Sequence, residues 1–136
     1  MDTYRKLEIA VQLLESAIDS YIREAQYFSA IHLAGGAEEL LGKYVRIAGE
    51  KDSLSDWAEA MNKIGFLTGS SSSIKENKKY INWAKNNVKH MDTAADDTIE
   101  MDAKEEAKDL IERAISNFNR LGLNPTSKVL DYYAAE

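Results

Sequence analysis

The chain has 136 residues, 44% apolar and 29% charged, with seven glycines, one proline and no cysteine, which reads as one domain spanning residues 1–136. Seventeen Lys and Arg against 23 Asp and Glu leave a net charge of −6, excluding a surface coated in basic residues but not a local basic face. Without cysteine there is no disulfide framework, thiolate zinc site or cysteine nucleophile, and the open chemistry is that of His, carboxylates, Lys, Ser and Tyr.

Breakers are scarce inside long runs of good helix formers, which predicts an all-α fold. Leu7, Val11, Leu14, Ile18 and Tyr21 form the stripe of a first amphipathic helix, from about residue 3 to 22. The polar patch Arg23, Glu24 and Gln26 marks a short turn, although no Gly or Pro enforces one there. A second helix, from about Tyr27 to Ala48, carries Ala30, Leu33, Ala37, Leu40, Tyr44 and Ile47, widened by Ala34, Leu41 and Val45. Gly35, Gly36 and Gly42 each cost that helix about 1 kcal/mol relative to Ala, a cost that tight packing against another helix offsets.

Ser53 or Ser55 caps a third helix bearing Leu54, Trp57, Ala58, Met61, Ile64 and Phe66, ended by Gly69 and the serines at 70–72. Ser73 with Glu76 forms a capping box and opens a fourth helix, from about residue 74 to 89, with the stripe Ile74, Ile81, Ala84, Val88. Asp102 with Glu105 opens a fifth, whose stripe Ala103, Ala107, Leu110, Ile111, Ala114, Phe118, Leu121 runs to the stop at Gly122. Asn124 and Pro125 begin a short last helix containing Val129, Leu130 and Tyr133. The expected architecture is an up-and-down helical bundle of about five main helices plus a short C-terminal one.

Charge is uneven along the chain. Residues 75–90 hold five lysines and one glutamate, whereas residues 92–112 hold nine acids and two lysines. Two solvated, complementary faces account for this. So does a phosphate-binding track of Lys75, Lys78, Lys79, Lys85 and Lys89, with Tyr80 and Trp83 either stacking on bases or lying in the core. No apolar run approaches the roughly 20 residues that span a bilayer, and MDTYRKLEIA is charged where a signal peptide is apolar. A cytoplasmic location with no membrane contact is expected.

The two histidines lie outside any metal pattern: Ser29 and Asn87, not Glu, precede His32 and His90 by three. The acids from Asp92 to Asp102 lack the central glycine of a calcium loop, so neither metal nor cofactor is expected. His32 reads as part of a solvated flank with Glu39, Lys43 and Arg46. Glu38 stands on an apolar strip with Ile31, Ala34, Leu41 and Val45. Either that strip is at the surface or Glu38 meets a cation or donor, with Lys89, His90 and Arg113 as candidates.

The segment INWAKNNVKHMD carries the candidate chemistry. An imidazole at His90, the amide of Asn86 and the ammonium of Lys85 suit action on a phosphodiester, as acid or base and charge stabiliser, with Lys89 and Lys79 binding phosphate. On a regular helix Lys85 and His90 point about 140° apart, so they share a site only if the helix ends near residue 89 or two copies meet in a dimer. Alternatively, His90 caps helix carbonyls and interacts with the helix dipole.

With two long helices opening a bundle and Lys85, Asn86 and, four residues on, His90 late in a later helix, the chain resembles the HEPN superfamily (higher eukaryotes and prokaryotes nucleotide-binding domains). That family's element is Arg, a polar residue, then His four to six residues further on. Its active members are metal-independent endoribonucleases, often of toxin–antitoxin or phage-defence type, whose dimers join two motifs in one cleft. The resemblance implies a homodimer, an RNA or nucleotide ligand and a cognate antitoxin-like protein partner, with Lys85 in the arginine's place, Asn86 as the polar residue and His90 as the histidine. Lysine keeps the charge but lacks the planar fork that grips phosphate twice, so the implied ribonuclease is weakened or lost. The glycine strip of the second helix or the stripe of the fourth would supply the dimer contact. Two other readings stand beside it: a noncatalytic interaction or scaffold module, and a bundle holding a small metabolite near Glu38 and Arg113.

Overall fold

A computed structural model describes residues 1–136 as an all-α helical bundle. In chain order the helices are α1 (Lys6–Ile22), α2 (Tyr27–Ile47), α3 (Ser53–Thr68), α4 (Ile74–Ile81), α5 (Trp83–Asn87), α6 (Ala103–Arg120) and α7 (Ser127–Ala135), with a 3₁₀ turn at Ala94–Asp97. No helix is long and apolar enough to cross a membrane.

The predicted stripes of α1 and α6 become core, whereas the buried face of α2 centres on Ile31, Ala34, Leu41 and Val45, and the expected apolar positions Ile47, Ile64, Phe66, Leu130 and Tyr133 are exposed. Leu14 and Ile18 of α1, Ile31 and Leu41 of α2, Ile111, Ile115 and Phe118 of α6, and Val129 and Tyr132 of α7 are buried together. Alanines at 10, 17, 30, 34, 37, 107 and 114 fill the narrow gaps between the first three of these helices, which lets their axes approach closely. Helices α3, α4 and α5 form a second, thinner layer: α3 packs on α4 and α6, and α5 on α2.

The turn at residues 23–26 separates α1 from α2, and Ala25 adopts φ +50° within it. Gly69 (φ +78°) and Gly122 (φ +70°) terminate α3 and α6, where a side chain would be strained.

Three boundaries differ from the expected ones. The cap of α3 is Asp52, one residue before the nearer serine, and its Oδ1 accepts from the Ser55 N–H at 3.1 Å. Burial pushes the Asp52 carboxyl up, but the Ser55 hydrogen bonds and the Arg46 ion pair together hold it below the usual value. The cap of α7 is Thr126, whose Oγ1 accepts from the Val129 N–H, so Pro125 lies before the helix and not in its first turn.

The largest difference is the expected helix over 74–89, which breaks at Asn82 into α4 and α5. In an unbroken helix the Ile81 carbonyl would accept from the Lys85 N–H. Here it accepts from Arg113 Nη1 at 3.2 Å instead, and Arg113 Nη2 also reaches Asn82 Oδ1 at 3.3 Å. A side chain from α6 thus sets the kink.

Candidate functional site

The centre of the molecule holds a buried charge cluster. Glu38 of α2 and Arg113 of α6 are each 2% exposed, and Lys85 of α5 is 4% exposed. Glu38 Oε2 lies 3.4 Å from Arg113 Nη2 and 3.6 Å from Lys85 Nζ. Lys85 Nζ continues to Glu39 Oε1 at 2.8 Å, a hydrogen bond that lowers the Glu39 carboxyl below its ordinary range. The apolar strip around Glu38 is therefore interior, and two cations answer its charge.

The α2 glycines exist for side chains of this chain. A Cβ on Gly35 would lie 2.8 Å from Lys85 Cγ and Cδ, one on Gly36 would lie 3.2 Å from Leu13, and one on Gly42 would meet Asn117 and Asp52 at 3.2 Å. The close approach expected there is made to side chains, with the Lys85 stem lying across Gly35. The strip proposed as a dimer contact is filled from within.

Asn117, 0% exposed, is a buried polar group with no place in the sequence reading, as are Asp52 and Asn77. Asn117 Oδ1 accepts from the Ser53 N–H at 2.8 Å and its Nδ2 donates to the Glu38 carbonyl at 3.3 Å, joining α6 to α3 and α2. Its place three residues after Ala114 and seven after Leu110 on an apolar stripe was the available signal. Asn117→Ala should cost about 1–3 kcal/mol by orphaning both groups, read as a shift in urea midpoint with early amide exchange at Ser53.

The motif residues divide between interior and surface. Lys85 faces inward, while Asn86, Lys89, His90 and Lys79 are exposed. Helix α5 ends at Asn87, so His90 lies beyond the helix and is free of the 140° separation from Lys85. It caps no carbonyl and makes no hydrogen bond within the chain. Lys85 and His90 do not converge within one protomer.

Beside the cluster, between α3, α4–α5 and α6, lies a cavity of about 420 Å³. Trp57, Tyr80, Trp83 and Arg113 line it together with Glu100, Glu106 and Asp109. The Arg113 guanidinium sits 5.8 Å from the Trp57 ring centre, within cation–π range, and its Nε has no hydrogen-bond partner. None of the three carboxylates has a side-chain ion pair or hydrogen bond. No family model, curated protein or solved structure matches this chain.

Burial, then neighbouring acids, raises the carboxyls of Glu106 and Asp109 above their usual values. A carboxyl whose folded value is raised binds more protons folded than unfolded. Its charge therefore costs stability at neutral pH, and that cost disappears as pH falls to the unfolded value. Glu106→Gln with Asp109→Asn should gain under about 1 kcal/mol each at pH 7, since both sites are partly solvent-screened. Thermal melts should show the gain vanishing below about pH 4. A loss of stability at pH 7 would contradict it.

Proposed function

We propose that this chain is a HEPN-like helical domain that binds single-stranded RNA or a nucleotide through the α4–α5 segment, as a homodimer. In this reading, metal-independent cleavage of the toxin–antitoxin or phage-defence type is weakened or lost. One observation carries the reading. Tyr80 (73% exposed) and Trp83 (41% exposed) stand on the same short segment as exposed Lys75, Lys79, Asn86, Lys89 and His90. Aromatic faces interleaved with lysines hold stacked bases and their phosphates. Lys85 supports the loss of cleavage, because its ammonium is spent on Glu38 and Glu39.

Anisotropy of a labelled single-stranded RNA in EDTA tests this. Binding should weaken as salt rises, and Lys79→Ala or Lys89→Ala should each lower the salt slope by about 1. Tyr80→Ala should lower affinity roughly tenfold, corresponding to about 1–3 kcal/mol per stacked base. His90→Ala should leave affinity unchanged while abolishing any residual cleavage. Absence of salt-sensitive binding would contradict the reading.

Exposed Ile64, Phe66 and Leu67 at the end of α3 favour a second reading, a noncatalytic interaction module. It predicts that Phe66→Ser disrupts self-association in light scattering while leaving RNA untouched.

A further inference from the structure

We propose that α3, α4 and α5 form a lid that opens as one unit from a frame made of α1, α2, α6 and α7. The inference concerns the fold and stands whether or not the α4–α5 segment binds RNA.

The apolar core stops short of these three helices. All 18 residues of the buried cluster lie on α1, α2, α6 and α7, and of residues 52–100 only Val88, just past α5, packs against it. Between the three helices and α6 lies the cavity of about 420 Å³, where a close-packed interface would leave no such space.

What joins the lid to the frame is polar. Arg113 reaches the Ile81 carbonyl at 3.2 Å and Asn82 Oδ1 at 3.3 Å, and Lys85 reaches Glu38 and Glu39. Asn117 Oδ1 accepts from the Ser53 N–H at 2.8 Å, and Arg120 Nη1 donates to the Lys51 carbonyl at 2.7 Å. On opening, such groups exchange a protein partner for water and lose little, whereas a lost apolar contact has no replacement in water.

The lid also has ties of its own. Asn77 of α4, 2% exposed, donates from Nδ2 to the Ala58 carbonyl of α3 at 2.9 Å, and its Oδ1 accepts from Ser72 Oγ at 2.6 Å. Asn62 Nδ2 of α3 donates to the Ser72 carbonyl at 2.7 Å. Helices α3 and α4 therefore move together, and α5 follows through the single residue Asn82. Both connections to the frame are free to bend: every residue of 48–51 and 89–100 is exposed. Opening uncovers the polar groups of α2 and α6 around Glu38, Arg113 and Asn117, and it carries both tryptophans away from α6.

Native-state hydrogen exchange over a series of sub-denaturing urea concentrations tests the lid. Amides of α3 and α4 should share one opening that rises with urea at a common slope, with protection about tenfold or more below that of Leu14, Leu41 and Ile111. Arg120→Ala should lower protection across α3 and α4 together by about threefold, because Arg120 holds the lid. Ile18→Val, inside the frame, should lower protection at Leu14, Leu41 and Ile111 by roughly threefold or more and leave α3 and α4 unchanged. Protection at α3 and α4 that falls with Ile18→Val in step with Leu41 would make the molecule one cooperative unit and overturn the lid. So would urea-independent exchange that differs from residue to residue along α3 and α4, the mark of local fraying.

Discussion

Replacing Glu38 by alanine should destabilise the protein by about 3–5 kcal/mol, because it leaves two interior cations without their carboxylate. Arg113 would keep the Ile81 carbonyl and Asn82 Oδ1, both neutral acceptors, and Lys85 would keep Glu39. Lys85 can swing toward solvent with Glu39, but Arg113 is held under Trp57 and has no such exit. Most of the loss therefore falls on Arg113. Urea unfolding with an unchanged m-value checks it. Glu38→Leu combined with Arg113→Met should recover only part of the stability, since the apolar pair replaces the buried ion pair at little cost but the Ile81 carbonyl loses its donor. If Glu38→Ala costs under about 1 kcal/mol, the ion pair behaves like an exposed one and its interior placement is wrong.

The second large effect is at Gly35, where leucine should destabilise by about 3 kcal/mol, the upper end for overpacking. Helix propensity alone predicts the opposite sign, a gain of under about 1 kcal/mol. Contact decides, since the first added carbon already lies 2.8 Å from two carbons of Lys85. The side chain of Lys85 must leave, taking with it the contact of α5 on α2. In a Lys85→Ala background the Gly35→Leu penalty should shrink to about 1 kcal/mol, a coupling measurable by a double-mutant cycle. An equal penalty in both backgrounds would show that something other than Lys85 occupies the gap.

Much of the fold was legible because the stripes of α1, α2 and α6 repeat at helical spacing over four or more turns; the buried faces of α1 and α6 are those the spacing names, while that of α2 is turned toward Ile31, Ala34, Leu41 and Val45, with Ile47 exposed. The kink at Asn82 was not legible, because nothing in KYINWAK opposes a helix and its cause is Arg113, 31 residues further on. The caps of α3 and α7 were displaced by one or two residues because Asp52 adjoins Ser53 and Thr126 follows Asn124 and Pro125, all competent at helix starts. In the cluster, an acid on an apolar strip left two alternatives, a surface strip or a buried partner with Arg113 among the candidates, and the structure takes the second. The other partner, Lys85, was not among those candidates, because the motif spacing cast it as a solvent-facing cation. Gly35, three residues before Glu38, recorded that a bulky group crosses α2 there, but a glycine does not name what crosses it. The Trp57 cavity left no local signal, since its walls come from four helices, α3, α4, α5 and α6.

The division of the two lysines between frame and surface is the most direct test. Stability and single-stranded RNA affinity should be measured together for Lys85→Met and Lys89→Ala, with affinity corrected for the folded fraction. Lys85→Met should lower the urea midpoint and leave RNA affinity per folded molecule within twofold of wild type. Lys89→Ala should weaken RNA binding and leave the midpoint unchanged. A stable Lys85→Met protein that no longer binds or cleaves RNA would contradict the account and make Lys85 a working residue of the site.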